Sequence, residues 1–426
     1  MVILPAFTRA ESNNKGNQER IIKEFIDNGI FIKFTYDFFQ ERDFRLYAED
    51  YLYKFYKQRS YKPAWINNKG LKPSARNLLT LLKNADKKGL FPEEYHLSLL
   101  NQLHLNLYNN DQKQLKQKFL IKMELLLTDA FFIYISDITR GRIDFENQNR
   151  EWVKPCDKFN YIQLLEDGLN NFDLSGIVKK VAPTYLKFNR LIQALLQYQT
   201  LLEQGGWKKL QGELPLKKGD QGQKIIKLRR RLQQEPNQVV NLKTEPKNYF
   251  GNDLFRAVCN FQARRGLTVT GIVDTETKAA LNTSVEEIIK KIKLNIERWR
   301  WLPVDTGEKY ITVNIPSYRL EVIADNNVVM AMKIIVGTKK RPTPILYDTI
   351  HRLIFNPRWY MPRNIAVKDY LPSVRSDRSY LKKKGIKVYE KTETGFERVD
   401  PKNINWKELN QNNFDYYFWK DSGPEN

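Results

Sequence analysis

The amino-acid sequence predicts a multidomain α+β protein: an α-helical scaffold unit, a small three-helix module and a β-rich unit. Three observations carry this. The chain has 426 residues, 41% hydrophobic and 12% aromatic, enough for about two to four separate cores. Up to about residue 301 the apolar residues recur at helical spacing, and from Tyr310 the period switches to two. Glycines punctuate the helical stretches where helices stop.

Residues 1–45 carry a mixed, weakly patterned segment, and residues 46–206 read as the first unit. Leu78, Leu79, Leu81 and Leu82 form an apolar stripe closed by Lys87-Lys88-Gly89. The stretch from Phe119 to Ile135 is apolar almost all round, as expected of a helix at the buried centre of an α-helical domain, and it ends near Gly141. Another amphipathic helix runs from about Tyr185 to Glu203 and stops at Gly205-Gly206.

The second unit, residues 207–284, opens on the turn-rich Leu216-Lys-Lys-Gly219-Asp220-Gln-Gly222. Ile225, Ile226, Leu228 and Leu232 mark one helix, Phe255, Val258, Cys259 and Phe261 a second, and Thr275–Leu281 a third. This spacing puts Leu228 and Leu232 on the core and Arg229, Arg230 and Arg231 outside it. The third unit, residues 285–426, begins with a helix over 285–301. Strands are expected at Tyr310–Ile315, Tyr318–Ile323, Val328–Val336 and Thr349–Phe355, with Asp325-Asn326-Asn327 as a hairpin turn.

Net charge is +22, which favours anionic partners: nucleic acid, anionic lipid or a carboxylate-bearing cell-wall polymer. No groove-reading or aromatic-interleaved motif supports nucleic acid. Cys156 and Cys259 are far apart and are expected to be buried free thiols. His96, His104 and His351 are too scattered for a metal site, and no cofactor is implied. No run of about 18 apolar residues forms a transmembrane segment. The apolar start is too short for a signal peptide, so the protein is expected either to stay in the cytoplasm or to begin upstream of Met1.

The pattern Leu216, Gly219, Asp220, Gly222, then Leu228, Leu232, Phe261, Gln262, Gly266, Leu267, Gly271, Thr277 and Leu281 resembles the peptidoglycan-binding module of cell-wall enzymes. The glycines suit tight turns and the Phe and Leu positions a small core, so most of the motif reports fold. On either side of it the chain is similar to the large, scaffold-bearing form of the L,D-transpeptidases. The first unit matches at Tyr61-Lys-Pro-Ala-Trp65, Gly89-Leu-Phe-Pro-Glu-Glu-Tyr-His96, Leu127-Thr-Asp-Ala130 and Arg140-Gly-Arg142. The third matches at Asn295-Ile-Glu-Arg-Trp-Arg-Trp-Leu-Pro303, Tyr310–Pro316, Ile335-Val-Gly337, Arg341-Pro-Thr-Pro344, Phe355-Asn-Pro-Arg-Trp359 and Met361-Pro-Arg363.

The resemblance implies acyl transfer between peptidoglycan stem peptides through a cysteine thioester, in the periplasm, serving cell-wall biogenesis and cell shape. That chemistry needs a thiolate, a histidine base and an oxyanion hole. The family's Ser-His-Gly-Cys motif is absent from these 426 residues, whose last cysteine is Cys259 and last histidine His351. The chain is therefore expected to be truncated and inactive, with no catalytic residue of its own; a non-catalytic peptidoglycan-binding remnant shares the same fold. Residues 359–420 resemble the family's lid insertion. There the resemblance points to Trp359, Arg363 and Lys368 as substrate-binding candidates. The module's candidates are Gly219, Asp220, Gly222, Phe261, Gln262, Gly266 and Gly271. The expected partners are peptidoglycan stem peptides and glycan. In the family the sheet's remaining strands come later, so the insertion is expected to be tethered at one end only.

Overall fold

The computed structural model describes residues 14–27, 46–143, 159–236, 239–242, 244–302 and 307–421. Cys156 lies outside them. Two compact units are formed, Met1–Tyr347 and Asp348–Asn426. Among the described residues no helix is long and apolar enough to cross a membrane.

The first unit is built around one helix. Its helices in order are α1 (Asn14–Asp27), α2 (Glu49–Gln58), α3 (Pro73–Lys83), α4 (Leu97–Asn109), α5 (Lys113–Arg140), α6 (Tyr161–Asn170), α7 (Leu174–Val181) and α8 (Leu186–Glu203). A small hairpin, β1 (Ile66–Asn67) with β2 (Gly70–Leu71), precedes α3. The helix α1 falls in the stretch that the sequence left unpatterned; it contributes Ile21, Ile22, Phe25 and Ile26 to the core. The expected central helix is α5, whose residues from Ile121 to Phe132 are buried on every side. Ala85 and Leu90 close the same core from the connecting turns, and Leu100 from α4.

An all-round buried helix carrying Glu124, Thr128 and Asp129 must satisfy those polar groups internally. Each is met by a loop. Glu124 Oε1 accepts from Ala64 N (2.5 Å) and the Tyr56 hydroxyl (2.8 Å), and its Oε2 accepts from Trp65 N (2.9 Å) and Ile66 N (3.1 Å). Trp65 Nε1 donates to Thr128 Oγ1 (2.8 Å). Asp129 accepts from Tyr47 N (2.9 Å) and Ala48 N (2.7 Å), and its other oxygen meets His96 Nε2 (2.7 Å). Near the end of α5, Tyr95 donates to Asp137 (2.8 Å). Burial pushes the Glu124 pKa up, while the Ala64 and Trp65 amides and the Tyr56 hydroxyl pull it back.

Gly141 ends α5 at φ +79°, and a Cβ there would lie 2.5 Å from Glu297 Oε1. That Glu297 belongs to α12 (Val285–Arg300) and accepts from Arg142 N (2.6 Å) and Ile143 N (3.1 Å). The helix α12 packs with α8 through Tyr185, Phe188, Leu195, Ile288 and Ile296. Its fully buried Arg300 donates to the Lys88 carbonyl.

Between α8 and α12 stand α9 (Gln223–Gln233), α10 (Asn252–Arg265) and α11 (Thr275–Leu281), around Leu228, Leu232, Phe250, Leu254, Val258 and Phe261. Cys259 is half-buried, at the margin of this core rather than within it. The expectation that Arg229 and Arg231 face solvent is wrong; only Arg230 is exposed. Arg229 reaches Asp253 through both terminal nitrogens (2.5 and 3.0 Å) and the Leu242 and Tyr249 carbonyls. Arg231 donates to the Leu281 carbonyl (2.9 Å), pairs with Glu235 (2.9 Å) and stacks on Trp207 at 3.4 Å. Fixed anions and carbonyls replace the water that these guanidinium groups give up.

After α12 come β3 (Lys309–Asn314), β4 (Arg319–Ala324) and β5 (Asn327–Lys333), an antiparallel sheet in sequence order. Asp325 and Asn326 take positive φ (49° and 61°) at the β4–β5 turn, the signature that the sequence signalled. The sheet meets the helices through Tyr310 against Tyr185 and an ion pair from Lys187 to Glu321. Residues 334–336 do not continue β5, and the strand expected at Thr349–Phe355 is absent. No strand pairs with that segment among the described residues, and an apolar β-branched run without a ladder partner has nothing to fix it as a strand. Its Leu353 and Phe355 are exposed.

The second unit contains β6 (Trp359–Tyr360), β7 (Ile386–Thr392), β8 (Gly395–Val399) and β9 (Tyr416–Lys420), in the order β6-β9-β7-β8. The expected one-ended tether is overturned: β9 returns between β6 and β7 and pairs with both. Val374, Leu381, Val388, Trp406, Phe414 and Phe418 give this unit its own core.

Two outcomes follow. Glu124→Ala strands the buried N–H groups of Ala64, Trp65 and Ile66, each costing about 1–3 kcal/mol, while the Tyr56 hydroxyl keeps Thr128 Oγ1. Denaturant unfolding should show a loss of about 3 kcal/mol or more, against less than about 1 kcal/mol for an exposed control such as Glu203→Ala. Gly271 sits at φ +70°, and a Cβ there would lie 2.1 Å from Phe255 Cε2. Gly271→Ala should lower the unfolding free energy by about 2 kcal/mol through left-handed strain and the displaced ring; a melting curve unchanged from the parent would contradict this placement.

Candidate functional site

The module's candidate residues divide by role. Gly219 and Gly222 adopt positive φ (98° and 107°) in the loop before α9, and their amides donate to the Phe250 and Asn248 carbonyls. Asp220 accepts from Lys217 N (3.0 Å), closing that turn. Phe261 is core, and Gly266 ends α10 in the left-handed conformation. Gln262 is fully buried: its Nε2 donates to Thr270 Oγ1, Ile272 O and Thr277 Oγ1, and its Oε1 accepts from Thr270 N and Gly271 N. Every polar group of Gln262 is therefore used in holding the 266–277 turn. These seven residues build the module's frame. The free chemistry on this face is cationic, with Lys217, Lys218, Lys224 and Lys227 exposed around the loop and α9.

The module enters and leaves the rest of its unit at one place. Trp207 Nε1 donates to the Thr283 carbonyl (2.9 Å), and Asn282 exchanges hydrogen bonds with Leu210 (2.6 and 3.0 Å).

In the second unit, Trp359 lies on β6, half-buried, packed against the core and edge-on to Tyr370 at 6.4 Å. Arg363 is exposed and donates to the Gln411 carbonyl (3.3 Å). Lys368 is exposed on the turn of residues 366–370. Trp359 and the Lys368 turn are brought together through Tyr370, whereas Arg363 is occupied in bracing the 411 loop.

Sequence reasoning missed a surface on the same sheet. Trp419 on β9 stacks on Tyr389 of β7 at 4.0 Å and meets Tyr360 and Phe396 edge-on at 5.1 Å each; Phe396 also meets Tyr417 at 4.8 Å. The register places Lys387 and Arg398 on this same face. Flat aromatic rings flanked by cations suit stacking on sugar rings that carry negative charge. Period-two alternation in β7 and β9 was the available signal, visible only once the two strands are known to pair.

Three family models match the chain in order: "Scaffold domain" over residues 50–195, "Putative peptidoglycan binding domain" over residues 221–281 and "L,D-transpeptidase catalytic domain" over residues 308–425. A protein named "Putative L,D-transpeptidase" from Haemophilus influenzae is 31% identical over 129 residues. That match covers 30% of this chain and 25% of the relative's own length. Scaffold, peptidoglycan-binding module and catalytic-domain region, in that order along one chain, make this protein a member of the scaffold-bearing L,D-transpeptidase family.

Proposed function

We propose that this chain acts on peptidoglycan in the periplasm, holding stem peptides and glycan through its module and its basic surface. The boundaries we assign are 46–206 for the scaffold, 207–284 for the module and 285–426 for the catalytic-domain region with its 359–420 lid. The observation that carries the reading is the module itself: a self-contained core with a lysine-rich open face, attached through adjacent entry and exit segments. In the lid, Trp359 and Lys368 are the proposed stem-peptide contacts, with Arg363 supporting them. The aromatic face around Trp419 adds a surface for the glycan.

The family's reaction joins stem peptides by acyl transfer through a cysteine thiolate. Within these 426 residues both thiols precede the catalytic-domain region. Burial pushes the Cys259 thiol up, the opposite of what a nucleophile needs. We infer that a protein of these 426 residues binds peptidoglycan without cross-linking it.

Because Trp207 and Thr283 are in contact, residues 208–282 can be excised and the ends joined by a short linker. Pull-down on purified sacculi should retain the full chain and lose most of the excised form in 150 mM salt. Equal retention of both would remove the module from the reading. Intact-mass spectrometry after carbapenem treatment should show no adduct; a stoichiometric adduct on Cys156 or Cys259 would overturn the inactivity.

A further inference from the structure

The scaffold contains a cavity of about 390 Å³ that neither the module nor the lid accounts for. Five elements converge on it, α1 through Gln18. The β1–β2 turn supplies Lys69, α3 supplies Arg76, α4 supplies His104 and Tyr108, and the start of α5 supplies Lys113, Lys116 and Gln117. No Asp or Glu lines it. The nearest anion given to these cations is the fully exposed Asp111, 3.9 Å from Lys116, a pair of little strength. Four cations around one hollow repel each other unless an anion enters.

Two further features point the same way. The helix α5 begins at Lys113 with no side-chain cap and no acid in its first turn, so the positive end of its dipole adds to the cations. Gln117 has a buried amide nitrogen with no hydrogen-bond partner among the described residues. The rest of the wall mixes neutral polar Gln18 and Asn68 with apolar Leu71, Leu107 and Leu120, and the His104 and Tyr108 rings meet edge-on at 5.1 Å. Tyr108 is 69% exposed, so most of its ring is open to a ligand. The volume is at the small end of ligand pockets, near 300 Å³, which suits a single substituted sugar.

We propose that this cavity binds a carboxylate-bearing saccharide of the cell wall, the carboxylate between Arg76, Lys113 and Lys116 and the ring against Tyr108 and the leucines. The choice of carboxylate over phosphate rests on the peptidoglycan reading above; the cavity's charge alone accepts either. The scaffold would thus hold the polymer at a point separate from the module.

The test is calorimetric titration of the full chain with N-acetylmuramic acid, N-acetylglucosamine and glucose 6-phosphate. Saturable binding of N-acetylmuramic acid is expected, at least tenfold tighter than of N-acetylglucosamine. The double variant Arg76→Ala, Lys116→Ala should weaken it at least tenfold with an unchanged melting curve, since Arg76 is exposed and Lys116 only partly covered. Absence of saturable heat, equal binding of the neutral sugar, or an unaffected double variant would overturn the proposal. Preference for glucose 6-phosphate would overturn the carboxylate assignment and point to a phosphate source. The sacculus pull-down reads the module independently: retention of full chain there with no N-acetylmuramic acid binding here defeats this inference alone.

Discussion

The structure of the helical unit depends on one constraint: α5 is buried all round yet carries acids, and each acid must find donors inside the protein. Glu124 is met by three consecutive backbone amides, Ala64 to Ile66, and by Tyr56. Asp129 is met by His96 and the two amides that lead into α2, and Asp137 by Tyr95. These contacts span between 33 and 82 residues of sequence, so they tie distant loops to one helix. A buried carboxylate with its donors in place is tolerable; with one removed it is a large cost. The loops are therefore held in one conformation by electrostatics as much as by apolar burial.

The same contacts explain the family signature of the first unit. Tyr61-Lys-Pro-Ala-Trp65 supplies two amides to Glu124 and an indole to Thr128 of Leu127-Thr-Asp-Ala130, whose Asp129 accepts from the amides before α2 and meets His96. Gly89-Leu-Phe-Pro-Glu-Glu-Tyr-His96 supplies Tyr95, His96 and Glu94, the last paired with Arg142 of Arg140-Gly-Arg142. Phe91 lies under the Arg142 guanidinium at 4.4 Å. Glu297 from Asn295–Pro303 then closes the group on Arg142 and Ile143. Motifs that look like scattered signatures are one connected set of polar anchors around α5.

This is also where the sequence was legible and where it was not. The helices α3, α5 and α8 to α12 were readable because apolar spacing and glycine stops are local, and Asp325-Asn326 because a two-residue turn needs positive φ. The inward turn of Arg229 and Arg231 was not readable: Arg229 is buried against Asp253, 24 residues on, and Arg231, though Glu235 stands at i+4, is buried under the distant Trp207. The segment 349–355 has strand composition but no pairing partner, and composition cannot supply one. For the site, the module's glycines and Gln262 were legible as a pattern, yet their role is structural. The cationic cavity was invisible because its walls come from five elements between Gln18 and Leu120. Its position also depends on α5, since Lys113, Lys116 and Gln117 stand on the helix that Glu124 anchors two turns further on.

The claim that α5 is fixed by its buried acids can be tested directly by native-state hydrogen exchange at Ala64, Trp65 and Ile66. These amides lie in a loop and a two-residue strand, which ordinarily open by local fluctuation. Donating to a buried Glu124, they should exchange only with the slowest amides of α5, at the free energy of unfolding the whole unit. Exchange at the rate of the neighbouring exposed Asn68 and Lys69 amides would show that the carboxylate does not hold the loop, and the account of the scaffold would fail.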